Sequence, residues 1–174
     1  MNVTAQFYKR LLWVYLFNVH CHNDNSSTLY YFLETEGKKN PSTVCSFVND
    51  FIIKKIDEEN WNIEEIILFS DAAGGQNKNM LVTSFCSWLA MKRGVKVTRI
   101  FPVRGHSNNV CDRNFGLCSL KIRRKENIHT LAEYVEILVK SRKKSHTFRC
   151  SKWDRYNERL EFWTERNFST KTQS

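Results

Sequence analysis

The fold class is decided by the stretch Ile66-Ile67-Leu68-Phe69-Ser70-Asp71-Ala72-Ala73-Gly74-Gly75-Gln76-Asn77-Lys78-Asn79. Its first four residues form an apolar run, which is typical of a short strand buried on both faces by covering helices. Asp71 lies just past that strand, where α/β proteins build their sites. Gly74 and Gly75 permit a tight turn, and a helical face follows, made of Leu81, Phe85, Trp88 and Leu89. The stretch therefore predicts a βα unit.

The residues before this unit predict two strands and a helix. Aromatic and β-branched runs cover Leu11–Val19 and Leu29–Leu33, and the polar segment His22–Ser27 between them favours a hairpin. Asn40-Pro41 offers a cap and a first-turn proline, after which apolar residues recur at helical spacing to near Ile56. The two hairpin strands need partner strands from elsewhere in the chain.

The residues after the unit continue the alternation of strands and helices. Val95–Phe101 predicts a strand, and apolar residues at steps of three and four then predict a helix that carries Asp112. The predicted order through Ile122 is thus β-β-α-β-α-β-α, which is typical of the α/β class. A capping-box sequence at 130–133 begins one more helix, and no element is assigned to residues 148–163.

Length and composition predict one globular domain. A chain of 174 residues with 41% hydrophobic content can bury a sizeable core. No apolar run approaches the roughly 20 residues of a membrane span, and the first residues lack a secretory pattern, so we expect a soluble, intracellular protein. The six cysteines lie far apart without zinc-finger spacing, which favours free, mostly buried thiols. His20, Cys21 and His22 are weak metal candidates because neighbouring strand residues point to opposite faces.

Charge is distributed unevenly along the chain. Residues 1–70 hold 6 Lys and Arg against 9 Asp and Glu, and residues 71–174 hold 21 against 9, for net charges of −3 and +12. The basic half favours binding to a polyanion such as DNA or RNA. Its two clusters contain Lys121, Arg123, Arg124 and Lys125, then Lys140, Arg142, Lys143 and Lys144. The alternative is a solvated helix face or a nuclear localisation run.

Two carboxylates stand beside small and polar residues, namely Asp71 and, after Gly105-His106-Ser107, Asp112. An acid at the carboxyl end of a strand and an acid on a helix entered from the next strand would face one another across the sheet edge. Paired carboxylates bind divalent cations, and Mg²⁺ or Mn²⁺ is the expected ion. Such cations activate a nucleophile and neutralise charge on a phosphodiester oxygen. In the alternative interpretation, Asp71 only caps a turn.

Donors for a nucleic-acid backbone surround these acids in the sequence. Residues 76–79 offer amide and cationic groups at a predicted helix start, where backbone N–H groups also favour phosphate. Alternatively, they are loop and cap residues, and a loop histidine such as His106 is a structural hydrogen-bonding residue. The candidate nucleic-acid ligands are Gln76, Asn77, Lys78, Asn79, Arg104, His106, Ser107, Arg113, Lys121, Arg123, Arg124 and Lys125.

Together these motifs resemble a transposase-derived family with an RNase-H-like fold, whose members carry an Asp followed by G-G-Q-N-K-N, then G-H-S and a further Asp followed by Phe. The resemblance begins at Phe7-Tyr8-Lys9-Arg10-Leu11-Leu12-Trp13, extends through Asp112-Arg113-Asn114-Phe115-Gly116 and covers most of the chain. It implies an α/β fold with an RNase-H-like mixed sheet and flanking helices. It also implies a triad of metal-binding acids, in which Asp71 would follow the fourth strand and Asp112 would lie on the late helix.

The chain departs from this family at its start. In such folds the first acid lies on the first strand, which is central in the sheet, and here only Met1–Gln6 precede the matching segment. The resemblance therefore implies that this strand and acid are missing, which leaves unpaired backbone groups on the strands beside it. A protein partner or a missing N-terminal segment would complete the sheet. We divide the chain into a partial RNase-H-like core (1–125), a C-terminal helix with a basic and aromatic extension (126–168) and a disordered tail (169–174).

Three functional hypotheses follow from these observations. The first is a transposon-derived, nuclear domain that binds a divalent metal and nucleic acid but is catalytically incomplete, because two acids without the third do not hold two cations. The second is a domesticated, non-catalytic module that binds nucleic acid or a protein through the basic half. The third is an active nuclease in which Asp24, Glu34 or Glu36 replaces the missing acid.

Overall fold

A computed structural model of the chain describes residues 12–103, 109–142 and 148–152, which form two small sheets with packed helices. The strands are β1 (Val14–His20), β2 (Ser27–Leu33), β3 (Glu65–Phe69), β4 (Lys96–Ile100) and β5 (Arg149–Lys152). The helices are α1 (Pro41–Ile53), which continues into a π-helical segment (Lys54–Glu58), α2 (Met80–Arg93), α3 (Val110–Arg123) and α4 (Leu131–Val139). The mixed α/β class and the predicted order of elements through α3 are confirmed.

The first sheet contains β1, β2 and β5 in that spatial order. β1 and β2 form the predicted antiparallel hairpin, and in its turn Asn25 takes a left-handed conformation (φ 56°) that asparagine tolerates well. β5 runs parallel to β2 and was not predicted, because its sequence, Arg-Cys-Ser-Lys, lacks an apolar alternation. Residues 149–152 of the predicted C-terminal extension thus belong to the first sheet.

β2 is the strand that is buried on both faces. On one face the fully buried Leu29 packs against α3 and α4, where Cys118 and Leu138 belong to the same apolar cluster. On the other face the Tyr30 ring stacks on the Phe47 ring of α1, with 4.7 Å between centroids. Because neighbouring strand residues point to opposite faces, α1 covers one face of the first sheet and α3 with α4 covers the other.

The second sheet consists of the parallel strands β3 and β4, which α2 connects as the predicted βα unit. The Asn79 side chain caps α2 by accepting a hydrogen bond from the Val82 N–H at 3.0 Å, and Gly94 ends the helix in a left-handed conformation (φ 65°). Ile66 and Leu68, on one face of β3, pack against α1 and α2. The buried part of that core consists of Cys45, Ile52, Val82, Phe85, Cys86 and Leu89.

The other face of β3 is exposed, so the prediction of a strand buried on both faces is wrong. Ile67 is 58% exposed and Phe69 is 49% exposed, and Ile100, which lies opposite Phe69, is exposed as well. In the part of the chain that the structure describes, α1 and α2 both pack on the Ile66 face. An apolar run shows that both faces of a strand can be buried. Whether both faces are buried depends on the helices that pack against them.

The turn after β3 also differs from the prediction. Gly74 and Gly75 do not take positive φ angles, so the turn does not depend on the conformational freedom of glycine. The Ala73 carbonyl organises it instead, accepting hydrogen bonds from the backbone N–H groups of Gln76, Asn77 and Lys78 at 3.2, 2.8 and 3.0 Å. α2 begins only at Met80, so among residues 76–79 only Asn79 lies at the helix start, contrary to the prediction.

The two sheets are not joined by strand pairing within residues 12–103, 109–142 and 148–152. There β1 pairs with β2 alone and β3 pairs with β4 alone, so each of these strands presents one unpaired edge. The missing shared neighbour that the resemblance implied for two strands stays a prediction. The RNase-H-like ancestry itself stays a prediction.

The cysteines are free thiols, and their burial differs from one to another. All six cysteines are free, as predicted, but only three of them are buried and the other three are half-buried. Burial raises the pKa of the Cys45 thiol to about 12, so this thiol is protonated at neutral pH. Among the described helices, none combines the length and hydrophobicity that crossing a membrane requires.

Candidate functional site

A cavity of about 310 Å³ opens beside the unpaired edges of β1 and β3. Residues of β1, β3, α1 and the beginning of α3 line it. Asp71, which follows β3, and Asp112, in the first turn of α3, both belong to the lining. The fold therefore brings the two carboxylates selected from the sequence to one cavity, although they lie far apart along the chain.

Asp71 is held by a side chain from the turn that it begins. Its carboxylate is exposed, and Asn77 Nδ2 donates a hydrogen bond to Asp71 Oδ1. The preceding residue, Ser70, still continues the β3–β4 pairing, because its N–H donates to the Ile100 carbonyl at 3.2 Å. Asp71 is thus the first side chain beyond the sheet, where it is accessible to a ligand in the cavity.

Arg99 of β4 supports the turn that holds Asp71. Its guanidinium donates hydrogen bonds to the Asn77 carbonyl and, at 2.7 Å, to Thr83 Oγ1. The same group lies 4.9 Å from the centroid of the Phe101 ring, a distance suited to a cation–π contact. Arg99 thus fixes Asn77, whose side chain holds Asp71, and it adds a positive charge to the lining of the cavity. Arg99 could not be selected from the sequence, because an arginine within a strand carries no motif.

Asp112 takes part in capping α3. Asn109 Oδ1 accepts a hydrogen bond from the Asp112 N–H at 2.8 Å, and the Asn109 N–H donates to Asp112 Oδ2 at 3.4 Å, which together form a capping box. The capping alternative, which was weighed for Asp71, therefore applies to Asp112. The carboxylate is nevertheless exposed and lines the cavity, and its negative charge is favoured at the positive end of the helix.

A buried polar contact anchors the helix that carries Asp112. Asn114 is 2% exposed, and its Nδ2 donates to Asn18 Oδ1 at 2.9 Å and to Ser27 Oγ at 3.1 Å. The Cys111 thiol donates to the Asn18 carbonyl at 3.5 Å. These contacts fix the first turns of α3 against β1 and β2. Sequence reasoning missed Asn114, although a buried asparagine requires such partners.

The amide and lysine residues after Asp71 have separate roles. Gln76 and Asn77 line the cavity, whereas the exposed Lys78 directs its ammonium toward the Phe101 ring at 5.6 Å from the centroid. The Asn79 side chain caps α2 and donates to the Gln76 carbonyl at 3.1 Å. Asn79 is therefore the cap residue that the alternative interpretation described, and Gln76 and Asn77 are the two that a ligand in the cavity can reach.

Two histidines line the same cavity from the end of β1. The rings of His20 and His22 meet edge to face with 4.8 Å between centroids, and His20 Nδ1 lies 2.8 Å from Ser27 Oγ. Burial, the neighbouring His22 and the charge of Arg142 lower the pKa of His20 below its ordinary 6.5. In the described part of the chain, no group of three or more His, Cys, Asp or Glu side chains is arranged to hold a metal ion.

The predicted basic ligands lie outside the lining of the cavity. Arg113 and the first basic cluster are exposed on α3 and just beyond it, a set that comprises Lys121, Arg123, Arg124 and Lys125. In the second cluster, Lys140 pairs with Glu136, and Arg142 donates to Ser27 Oγ at 3.1 Å. The candidates that lie outside the described residues are Arg104, His106, Ser107, Lys143 and Lys144.

The acids proposed as substitutes for a third ligand have other partners and do not line the cavity. Asp24 pairs with the Lys55 ammonium at 2.5 Å. Glu36 pairs with Lys152 at 2.8 Å, and Glu34 accepts a hydrogen bond from the Trp13 N–H at 3.4 Å. The geometry therefore gives no support to a nuclease completed by one of these three acids.

Residues 6–167 match the model of a family described as a domain of unknown function, DUF7869. The chain belongs to the DUF7869 family. No curated protein and no solved structure matches it. The DUF7869 domain includes both carboxylates, the whole lining of the cavity and all described strands and helices. The resemblance inferred from the motifs is thereby supported as membership of one domain family, while its transposase origin stays a prediction.

Proposed function

We propose that this DUF7869 chain is a transposon-derived, RNase-H-like domain that binds nucleic acid together with one divalent cation, Mg²⁺ or Mn²⁺, held by Asp71 and Asp112. The observation that carries the proposal is that both carboxylates line one cavity. Carboxylate oxygens are preferred ligands of both ions, which keep several waters when few protein ligands are present. With two acids the chain binds its target without completing phosphodiester cleavage, and we place it in the nucleus.

The surroundings of the acids support a phosphate beside the cation. Arg99 lines the cavity and uses two of its guanidinium nitrogens on Thr83 and Asn77, but a guanidinium carries five N–H donors, so donors are left for a phosphate oxygen. The +12 charge of residues 71–174 favours a polyanionic partner. A phosphate would complete the ligand shell of a cation that the protein holds through two carboxylates.

Thermal unfolding with and without Mn²⁺ tests the cation site. At a concentration about tenfold above Kd, binding to the folded state contributes about 1.4 kcal/mol, which corresponds to a rise in Tm of about 3–6 °C for a domain of this size. The double variant Asp71→Asn with Asp112→Asn should lose this rise. A matched control, Glu64→Gln with Glu126→Gln, removes two exposed carboxylates outside the cavity and should retain it. An equal rise in all three proteins would refute the site.

A second candidate function is metal-independent binding through the exposed basic end of α3. It is favoured by one observation, the cluster Lys121, Arg123, Arg124 and Lys125, which lies outside the cavity lining and is exposed throughout. Its partner is the backbone of DNA or RNA. In this case the carboxylates are helix-capping and turn residues without a ligand.

Fluorescence anisotropy with a labelled 20-mer DNA separates the two candidates. The first predicts that Mn²⁺ strengthens binding and that the Asp71→Asn, Asp112→Asn variant abolishes this effect. The second predicts that Mn²⁺ has no effect on binding. It also predicts that the negative slope of log affinity against log salt concentration becomes less steep by about 3 when the four cluster cations are replaced by Gln. Binding that responds to neither change would exclude both.

A further inference from the structure

The cavity that both carboxylates line is charged at its opening and apolar in its interior. Asp71, Asp112 and His22 belong to the lining and are exposed to solvent. Val44 and Val82, which also line the cavity, are only 8% and 7% exposed. Burial of a charge without a partner is costly, whereas burial of apolar surface is favourable. A ligand that fits this lining therefore has a charged end at the opening and an apolar body inside.

Three helices supply the apolar part of the lining. Val44 and Val48 come from α1, Val82 comes from α2, and Phe115 comes from α3. The Phe115 ring adds an aromatic surface, and nucleobases stack on such rings whatever their sequence. The flat faces of a base can pack against these walls, but its polar edge needs hydrogen-bonding partners inside the cavity.

One side-chain amide of the lining is available to that polar edge. Gln76 is half-buried in the lining, and its amide makes no hydrogen bond to any residue that the structure describes. The other amides of the lining are already bound to protein groups, namely those of Asn18, Asn77 and Asn109. An amide carries donors and an acceptor, and glutamine can pair with adenine through two hydrogen bonds. Gln76 thus suits the edge of a base.

The size of the cavity suits one nucleotide. Its volume of about 310 Å³ lies at the lower end of the range for ligand pockets, about 300–1,000 Å³. A base within a duplex is stacked and paired, so only an unpaired base can enter such a cavity. At the opening, the phosphate of this nucleotide meets two carboxylates, which repel it unless a cation lies between them. Arg99 supplies a further positive charge in the lining.

We propose that the cavity binds one unpaired nucleotide of a single-stranded nucleic acid, with its base against the three helices and Gln76 and its phosphate at the opening. Arg99 and the cation at Asp71 and Asp112 hold the phosphate. The inference therefore rests on the proposed function and names the substrate class of the same site. A duplex binds more weakly, because it offers the protein its backbone but no base that can enter the cavity.

Calorimetric titration of the full chain with dAMP in millimolar Mn²⁺ tests the cavity without a polymer. The nucleotide should bind about tenfold more tightly than deoxyribose 5-phosphate or deoxyadenosine, because each of these lacks one half of the ligand. Equal binding of deoxyribose 5-phosphate would overturn the inference, since no base would then enter the cavity. A failure of the proposed function is distinct from this result, because Mn²⁺ alone would then produce no rise in Tm that depends on Asp71 and Asp112.

Anisotropy with labelled 20-mers in Mn²⁺ identifies the source of the nucleotide. A single strand should bind about tenfold more tightly than a blunt duplex of the same sequence. It should exceed by the same factor a strand of abasic sites, which keeps every phosphate and lacks the bases. Equal affinities for the intact and the abasic strand would overturn the inference. If dAMP binds but the single strand binds no better than the duplex, a free nucleotide is the ligand and the assignment to a nucleic acid is wrong.

A substitution that fills the cavity gives the matched comparison on the protein. Val48→Phe places a larger side chain in the lining, and Val103→Phe makes the same change at an exposed position outside it. The first variant should lose the preference for dAMP over deoxyribose 5-phosphate and keep the Mn²⁺-dependent rise in Tm. The second variant should behave as the wild type. A preference that persists in a folded Val48→Phe variant would contradict the inference.

Gln76→Leu provides the same test if the larger side chain at position 48 prevents folding. It removes the amide at nearly constant volume and keeps the Gln76 N–H, which donates to the Ala73 carbonyl in the turn. The variant should bind dAMP severalfold more weakly, because the edge of the base loses its partner, and cooperative thermal unfolding checks that it is folded. An unchanged affinity for dAMP would overturn the placement of the base in the cavity.

Discussion

The two sheets differ in how their apolar strands are used. β2 has neighbours on both edges, β1 and β5, and it packs on α1 at one face and on α3 and α4 at the other. β3 also has an uninterrupted apolar run, Ile66–Phe69, but it has one described neighbour and one covered face. Leu29 of β2 is completely buried, while Ile67 of β3 is 58% exposed. The comparison teaches that burial is a property of the neighbours of a strand as much as of its residues.

The largest expected effect comes from truncating one apolar residue in each sheet. Leu29→Ala should lower the free energy of unfolding by about 2–5 kcal/mol, because it leaves a cavity among packed side chains. Ile67→Ala should lower it by about 0.5 kcal/mol or less, because the side chain is already in water. Urea unfolding followed by circular dichroism measures both. Equal losses would mean that β3 is covered in solution as fully as β2.

A smaller decrease in the free energy of unfolding should follow from removing the side chain of Asn114, which anchors α3 to the first sheet. Asn114→Ala leaves Asn18 Oδ1 without its amide donor in a buried position, and this should cost about 1–3 kcal/mol. Since Asn114 fixes the first turns of α3, the Mn²⁺-dependent rise in Tm should also shrink. The neighbouring exposed Arg113→Ala is the control and should change neither quantity.

The Tm below pH 4 should depend on Asp24, which lies in the turn between β1 and β2. Burial raises the pKa of Asp24, but hydrogen bonds from Lys55 and the Ser26 N–H lower it by more, so it lies below its ordinary 3.8. A carboxyl with a lowered pKa in the folded state contributes stability above about pH 4 that is lost as the pH falls toward the folded pKa. Asp24→Asn should therefore flatten the fall in Tm below pH 4. A parallel fall in variant and wild type would contradict this.

The smallest expected effect concerns the histidine at the end of β1. Because the pKa of His20 is lowered on folding, its contribution to stability is present above pH 6.5 and is lost as the pH falls toward the folded pKa. An NMR titration of the imidazole protons should give a midpoint below 6.5. Arg142→Gln removes one of the charges that lower this pKa, so the midpoint of the titration should rise. An unchanged midpoint would show that burial and His22 alone lower the pKa of His20.

Most of the order of elements could be predicted from the sequence because local signals were strong. Asn40-Pro41, the apolar run at 66–69 and the cap at Thr130 each mark an element that the structure contains. β5 could not be predicted, since its four residues gain their strand conformation from β2 and not from their own pattern. The exposed face of β3 was missed for the same reason, because covering elements are a tertiary property.

The candidate site could be predicted in part. Asp71 and Asp112 were found because acids beside small, polar residues after predicted elements form a local signal. Arg99 and Asn114 were missed because their importance depends on partners distant in sequence, Asn77 and Thr83 for Arg99 and Asn18 for Asn114. The helix-start role of residues 76–78 was predicted wrongly, because the Ala73 carbonyl holds these residues in a turn that precedes α2.

The capping box of α3 would compete with the proposed cation for the carboxylate of Asp112. As long as Asp112 Oδ2 accepts the Asn109 N–H, it closes the first turn of the helix as the second half of the capping box. A cation that draws this oxygen away would loosen the turn while it binds. The amide hydrogen of Asn109 would then exchange faster with solvent in the ion-bound protein than in the free one, so hydrogen exchange at the beginning of α3 would report whether an ion occupies the cavity.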